Sequence, residues 1–203
     1  WFFSGMELLQ FFQFFWIDQC DHPMNQFLTV IGFLHICFQP YFLHRTSIAF
    51  AKTEEERIIW KFVLKACFWG GLYLFARWVF ADDSVVCEHS VESLLGNRTC
   101  TFWGRFHLAW ELKLQIPNYF WPSINIHFLL LICPLLLMPG YRLAGIFLAL
   151  TGPFLSHLIT DNLSEQPAIW CFMSIAQTAL IGVSVLAASK RQADMAAVAK
   201  KPS

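Results

Sequence analysis

Residues 24–43 read MNQFLTVIGFLHICFQPYFL, a stretch without a single Asp, Glu, Lys or Arg. At about 1.5 Å rise per residue it makes a helix of roughly 30 Å, the thickness of the hydrocarbon core of a bilayer. Five more apolar stretches of comparable character follow from the same reading, at about 2–19, 58–80, 119–138, 141–160 and 168–188. None of them alternates apolar and polar residues with a period of two, which argues against a β-barrel. The expected fold is therefore all-α: a polytopic transmembrane helical bundle of six spans, one integral membrane domain over residues 1–203. The chain opens on Trp1 rather than Met, which leaves room for a seventh helix upstream.

Composition agrees with lipid as the main solvent. The 203 residues are 57% hydrophobic and 14% charged. Soluble domains carry about 25% charged residues. With 22 Phe and 9 Trp the chain is far too aromatic for a disordered segment. Fourteen Lys and Arg balance fourteen Asp and Glu, so no basic excess points to nucleic acid. The lipid bilayer is the first expected partner, with a homo-oligomer or a larger membrane complex as the next.

Basic residues favour the cytosolic side of a membrane. With six spans and the amino terminus inside, Arg45, Lys52, Arg57, Lys61, Lys65, Arg142, Lys190, Arg191, Lys200 and Lys201 fall inside, while Arg77, Arg98, Arg105 and Lys113 fall outside. The long loop 81–118 is then lumenal or extracellular, and the tail 189–203 is cytosolic. That loop holds Cys87 and Cys100, expected to form a disulfide, and Asn97-Arg98-Thr99, a glycosylation sequon. Cys20 and Cys171 are candidates for a second bridge. Thr101 to Ile116 places Trp103, Phe106, His107, Trp110 and Leu114 on one helical face, the pattern of an amphipathic helix lying in the interface.

Polar side chains at membrane depth mark cavities or functional groups more often than lipid-facing surface. Asn25, Thr29, Gly32, His35 and Gln39 form one helical face of the second stretch, directly before Pro40. Proline has no N–H to give the carbonyl four residues earlier, so Pro40 releases a backbone acceptor near His35 and Ile36. Glu7 lies roughly 18 Å below the outer end of its stretch and His35 roughly 16 Å below the start of the next, by the helical rise. A carboxylate and an imidazole at that depth are the parts of a proton relay.

Glu7, Gln10, His35, Gln39 and His127 are thus the candidate substrate- or proton-binding groups, and His157 and Asp161 an outer access path. The leading expectation is a transporter or channel for a small polar solute or a proton. One alternative is a subunit of a larger redox or photosynthetic membrane complex, either structural or binding haem or chlorophyll through His35 and His127. The other is an intramembrane enzyme with an outer His and Asp site. The sequence lacks HExxH, HxxxH, GxSxG, CxxC and Walker A patterns, so it leans away from an enzyme; no resident metal or cofactor is expected.

Overall fold

The computed structural model describes residues 2–82, 92–177 and 179. Helix α1 covers Phe2–Phe14, α2 Pro23–Phe50 and α3 Glu54–Val79. A two-stranded antiparallel sheet follows, β1 (Cys100–Trp103) and β2 (Leu108–Glu111). Then come α4 (Asn125–Leu137), α5 (Arg142–Ala149), a π-helical turn (Leu150–Phe154) and α6 (Leu155–Ile159), the last three running as one continuous rod. Residues 166–177 are helical as well.

Local chemistry sets the helix starts. Pro23 opens α2, where its missing N–H is harmless, and Met24 N–H donates to the Nδ1 of the capping His22 (3.2 Å). Thr53 caps α3 by accepting from Glu56 N–H (3.1 Å), and Glu56 reaches back to the N–H of Lys52 (2.8 Å). The acidic run Glu54–Glu56 is therefore the first turn of α3, facing the positive end of the helix dipole, and not part of a polar loop. The preceding residues 44–50 likewise belong to α2, so the link between the helices shrinks to residues 51–53.

The membrane reading needs correction in number. Among the described residues three helices, not six or seven, are long and apolar enough to cross a bilayer: Pro23–Phe50, Glu54–Val79 and Arg142–Ile159. The first expected span stops at Phe14, because the chain turns through residues 15–22, with Asp18 at a left-handed φ of 63°. The fourth begins only at Asn125, because Asn118 folds the chain into a side-chain turn, its Oδ1 accepting from Phe120 N–H (2.9 Å) and Trp121 N–H (3.1 Å). Each of these 13-residue helices is about 20 Å long, short of the roughly 30 Å core. The sixth expected span begins as the helix 166–177, and its residues 180–188 lie outside the described residues.

The loop also differs. The stretch expected as an interfacial helix is the β-hairpin, in register Cys100↔Glu111 to Trp103↔Leu108, with Gly104 N–H closing the turn on His107 O (2.8 Å). Its supposed single aromatic face is divided: Trp103 and Phe106 are exposed, whereas Trp110 and Leu114 are buried. All-α therefore gives way to mostly helical with a small sheet.

α2 is the central helix, packed against α1, α3, α4 and β1. The larger core joins Met6, Phe33, Ile36 and Leu74 to Leu94, Leu108 and Trp110 of the hairpin region. The smaller one gathers Trp60, Leu135 and Met138 at the opposite end of the helices. Phe62, Trp69, Leu137 and Leu143 point outward, as lipid-facing residues would.

Arg77 of α3 is fully buried. It pairs with buried Glu92 and donates through Nε to the carbonyl of Gln115 (3.0 Å). Glu92 also accepts from Ile124 N–H (2.7 Å), tying α3, the loop and the start of α4 together.

Candidate functional site

The polar face of α2 divides into two halves with different work. Its first half fastens the hairpin. Asn25 Nδ2 donates to the carbonyls of Trp16 (2.8 Å) and Thr101 (2.7 Å), and its Oδ1 accepts from Thr101 N–H (2.9 Å). The hydroxyls of Thr29 and Thr101 meet at 2.7 Å. Gly32 leaves room for Gln13, which donates to Leu28 O (3.0 Å) and accepts from the indole N–H of Trp110 (3.0 Å). Gln13, a polar residue of the first apolar stretch, is thus a structural bridge.

The bridge expected between Cys87 and Cys100 is corrected beside this contact. Cys100 is bonded to Cys20, since β1 lies against the α1–α2 turn; Cys87 lies outside the described residues. Cys171, the other partner considered for Cys20, is a buried free thiol. Asn97 is exposed, two residues beyond Leu95 in the segment that leads to β1.

The turn between β1 and β2 rests on Glu165, whose carboxylate is fully buried. Its Oε1 accepts from the N–H groups of Phe106 (2.5 Å) and His107 (2.6 Å), and its Oε2 from the Thr160 hydroxyl (2.8 Å). Burial by itself raises this carboxyl, but these donors together outweigh it and hold the group below the ordinary range. Burial lowers the neighbouring His107, with Glu165 opposing. Both shifts have the same sign for stability. A depressed folded pKa favours the fold above the unfolded value and loses that advantage as pH falls. The fold should weaken below about pH 6.5 through His107, and further below about pH 4.3 through Glu165. Glu165→Gln should remove the lower component and cost about 1–3 kcal/mol at neutral pH, read by thermal unfolding across pH 3–8. An unchanged acid limb would contradict this role.

The second half of the face enters the interior. His35 is half-buried and stacks on Phe2, ring centroids 3.7 Å apart, its Nε2 without a partner among the described residues. Glu7, on α1, has a buried Oε1, and Gln10 a buried Nε2, in the same state. Glu7 and His35 are not hydrogen-bonded to each other, so a direct carboxylate–imidazole pair is not formed. Glu7 instead faces a cavity of about 420 Å³ with Phe3, Ser4 and Ser174. His127, 2% exposed, has both ring nitrogens without a full hydrogen bond among the described residues and borders a void of about 20 Å³ with Gln39, Ser93, Trp170 and Cys171. Such a void has room for one water molecule. Gln39 and Trp170 also border a third cavity, of about 310 Å³, which shares Phe3 and Ser174 with the Glu7 cavity. Glu7, Gln39 and His127 thus border three neighbouring spaces that share wall residues.

The prolines account for how α2 and α4 meet here. Pro134 cannot donate to Leu130 O, and His44 Nε2 of α2 lies 2.8 Å from that carbonyl, with Cys67 Sγ of α3 at 3.8 Å. Reciprocally, Pro40 cannot donate to Ile36 O, and His127 of α4 sets its ring against that carbonyl, short of full hydrogen-bond geometry. Pro153 lies in the π turn, where Gly152 accommodates the indole of Trp170 and Thr151 accepts from Gln177 Nε2 (2.7 Å). A π turn is frequent at functional sites. In the small-residue stripe Gly145, Ala149, Gly152 and Ser156, Ala149 is half-buried and the other three are buried.

His157 and Asp161 are exposed and border none of these three spaces; His157 Nδ1 meets Gln166 Nε2 (3.2 Å). Haem or chlorophyll between His35 and His127 does not fit: His35 is covered by Phe2 and the void at His127 is far smaller than a porphyrin. Among the described residues no three His, Cys, Asp or Glu side chains are grouped to hold a metal ion. Trp170 and Thr46 are wall residues that carry no chemical signal in the sequence. No characterised protein and no solved structure matches the chain. Over residues 1–193 it matches, and so belongs to, a family of unknown function, DUF5765.

Proposed function

We propose that this chain is a membrane protein that binds a small polar solute or a proton in its interior and passes it along Glu7, Gln10, His35, Gln39 and His127. The observation that supports this reading is the set of buried polar atoms on Glu7, Gln10, His35 and His127 without a partner among the described residues, two of which, on Glu7 and His127, border neighbouring cavities. Each such atom costs about 1–3 kcal/mol when left dry. A fold that keeps several of them together gains nothing from them unless water, a proton or a solute visits. The Cys20–Cys100 bridge and the exposed Asn97 sequon support a hairpin side that faces an oxidising compartment.

The test is flux in reconstituted vesicles, with pyranine inside to read protons and light scattering to read erythritol. The chain should raise one of these above protein-free vesicles. His127→Leu, close in volume, should lower that flux at least tenfold, and Glu7→Gln should alter its pH dependence. Equal flux in folded wild-type and variant proteins would overturn the reading.

A further inference from the structure

The 310 Å³ cavity has a composition that selects its occupant. Its walls are Phe3, Leu43, Phe50, Leu131, Leu148 and Trp170, and its polar groups are Gln39, Thr46, Ser174 and Gln177. No Asp, Glu, Lys, Arg or His borders it among the described residues. The hydroxyls of Thr46 and Ser174 are already given to carbonyls of their own helices, Leu43 (2.6 Å) and Cys171 (2.6 Å). The two amides differ. Gln39 is 7% exposed and its side chain makes no hydrogen bond among the described residues. Gln177, equally buried, gives Nε2 to Thr151 and receives nothing at Oε1 among the described residues. A buried amide offers both donor and acceptor and carries no charge.

We infer that this cavity is the binding site for an uncharged amphiphile of about ten heavy atoms, given roughly 30 Å³ per small group, whose hydroxyl or amide head meets Gln39 and Gln177 and whose apolar body lies along Leu43, Leu131 and Leu148. This goes beyond the transport reading: it assigns the interior a second guest, distinct from the small polar solute or proton. A charged head would meet no counter-charge here and would be left desolvated. The cavity wall reaches exposed Phe50 at the end of α2, so the body of the ligand extends toward that end.

The probe is 1-decanol carrying a diazirine on its chain, photolysed with the whole chain in lipid nanodiscs and mapped by peptide mass. Labels should concentrate on residues 36–50, 128–137 and 168–177. Unlabelled 1-decanol should compete at least tenfold better than decanoate or decyltrimethylammonium. Gln39→Met should weaken labelling about tenfold, the loss of one buried hydrogen bond. Leu148→Trp should fill the cavity and abolish labelling without touching the amides; it decides the matter if Gln39→Met does not fold. Labels confined to outward faces such as Phe62 and Trp69, equal competition by all three compounds, or labelling unchanged in both variants would overturn the site. Specific labelling without flux in the vesicle assay upholds the site and removes the transport reading. Flux without specific labelling removes the site and leaves transport standing.

Discussion

Removal of the Cys20–Cys100 bridge, by reduction or by the double change Cys20→Ala and Cys100→Ala, is expected to be among the costliest perturbations of this fold. The bridge closes a loop across a sequence separation of 80. By the chain-entropy relation a loop of that size is worth about 4–5 kcal/mol through the unfolded state. In a chain of this size that is roughly a 10–15 °C fall in Tm. Architecture should nonetheless survive, because the same junction is held by other bonds. Asp18 N–H donates to Thr101 O (3.1 Å), Trp103 N–H to Asp18 Oδ1 (3.0 Å), and Asn25 clasps Thr101 on both sides. The measurement is thermal unfolding of the purified protein with and without reductant, together with non-reducing peptide maps. A Tm change under about 3 °C, or a map linking Cys100 to Cys87, would contradict the assignment.

Arg77→Met is expected to come next, destabilising by about 3–5 kcal/mol, because it leaves the Glu92 carboxylate buried without its cation. Adding Glu92→Leu should recover most of that loss. It should not recover all, since Ile124 N–H would then lose the oxygen it donates to at 2.7 Å, a cost of about 1–3 kcal/mol. The carbonyl of Gln115 also loses its donors in both variants. A double-mutant cycle measured by denaturation separates these contributions. If the double variant were no more stable than Arg77→Met alone, the pair would be only an accessory to the surrounding packing.

The interior groups were legible in the sequence for a simple reason. A Glu, a Gln or a His among Phe and Leu residues needs an explanation wherever the chain folds, and Glu7, Gln10, His35, Gln39 and His127 all carry that mark. Pro40 was equally visible as the source of a free carbonyl, and the structure sets His127 against it. Helix ends were not legible. A hydropathy window sees apolar content, but α1 stops at Phe14, and the turn opens on Phe15, Trp16 and Ile17, as apolar as the helix before them. The start of α4 is set by a side-chain turn at Asn118, a polar residue that reads equally well as a loop or a helix cap. The hairpin was misread because aromatics spaced three and four apart also occur when two short strands are joined by a four-residue turn, and only pairing across the turn distinguishes them. Disulfide choice failed for a related reason: Cys20 was noticed, but which thiols meet is decided by the docking of β1 on the α1–α2 turn. Trp170, a wall of two of the cavities, was hidden because an aromatic in an apolar helix carries no signal of its own.

The exchange of carbonyls between α2 and α4 has a mechanical consequence. Each helix is weakened at its own proline, and a histidine of the other helix is set against the acceptor left over. Sliding or rotating one helix past the other would strip the Leu130 carbonyl of its donor and part the His127 ring from the Ile36 carbonyl, so the two resist slipping out of register. Strain imposed on the assembly must then be taken up elsewhere. α1 and the helix 166–177 take no part in this exchange, so the strain falls to them. In this picture α2 and α4 are the frame, and the wall that swings is made of α1 and its neighbour.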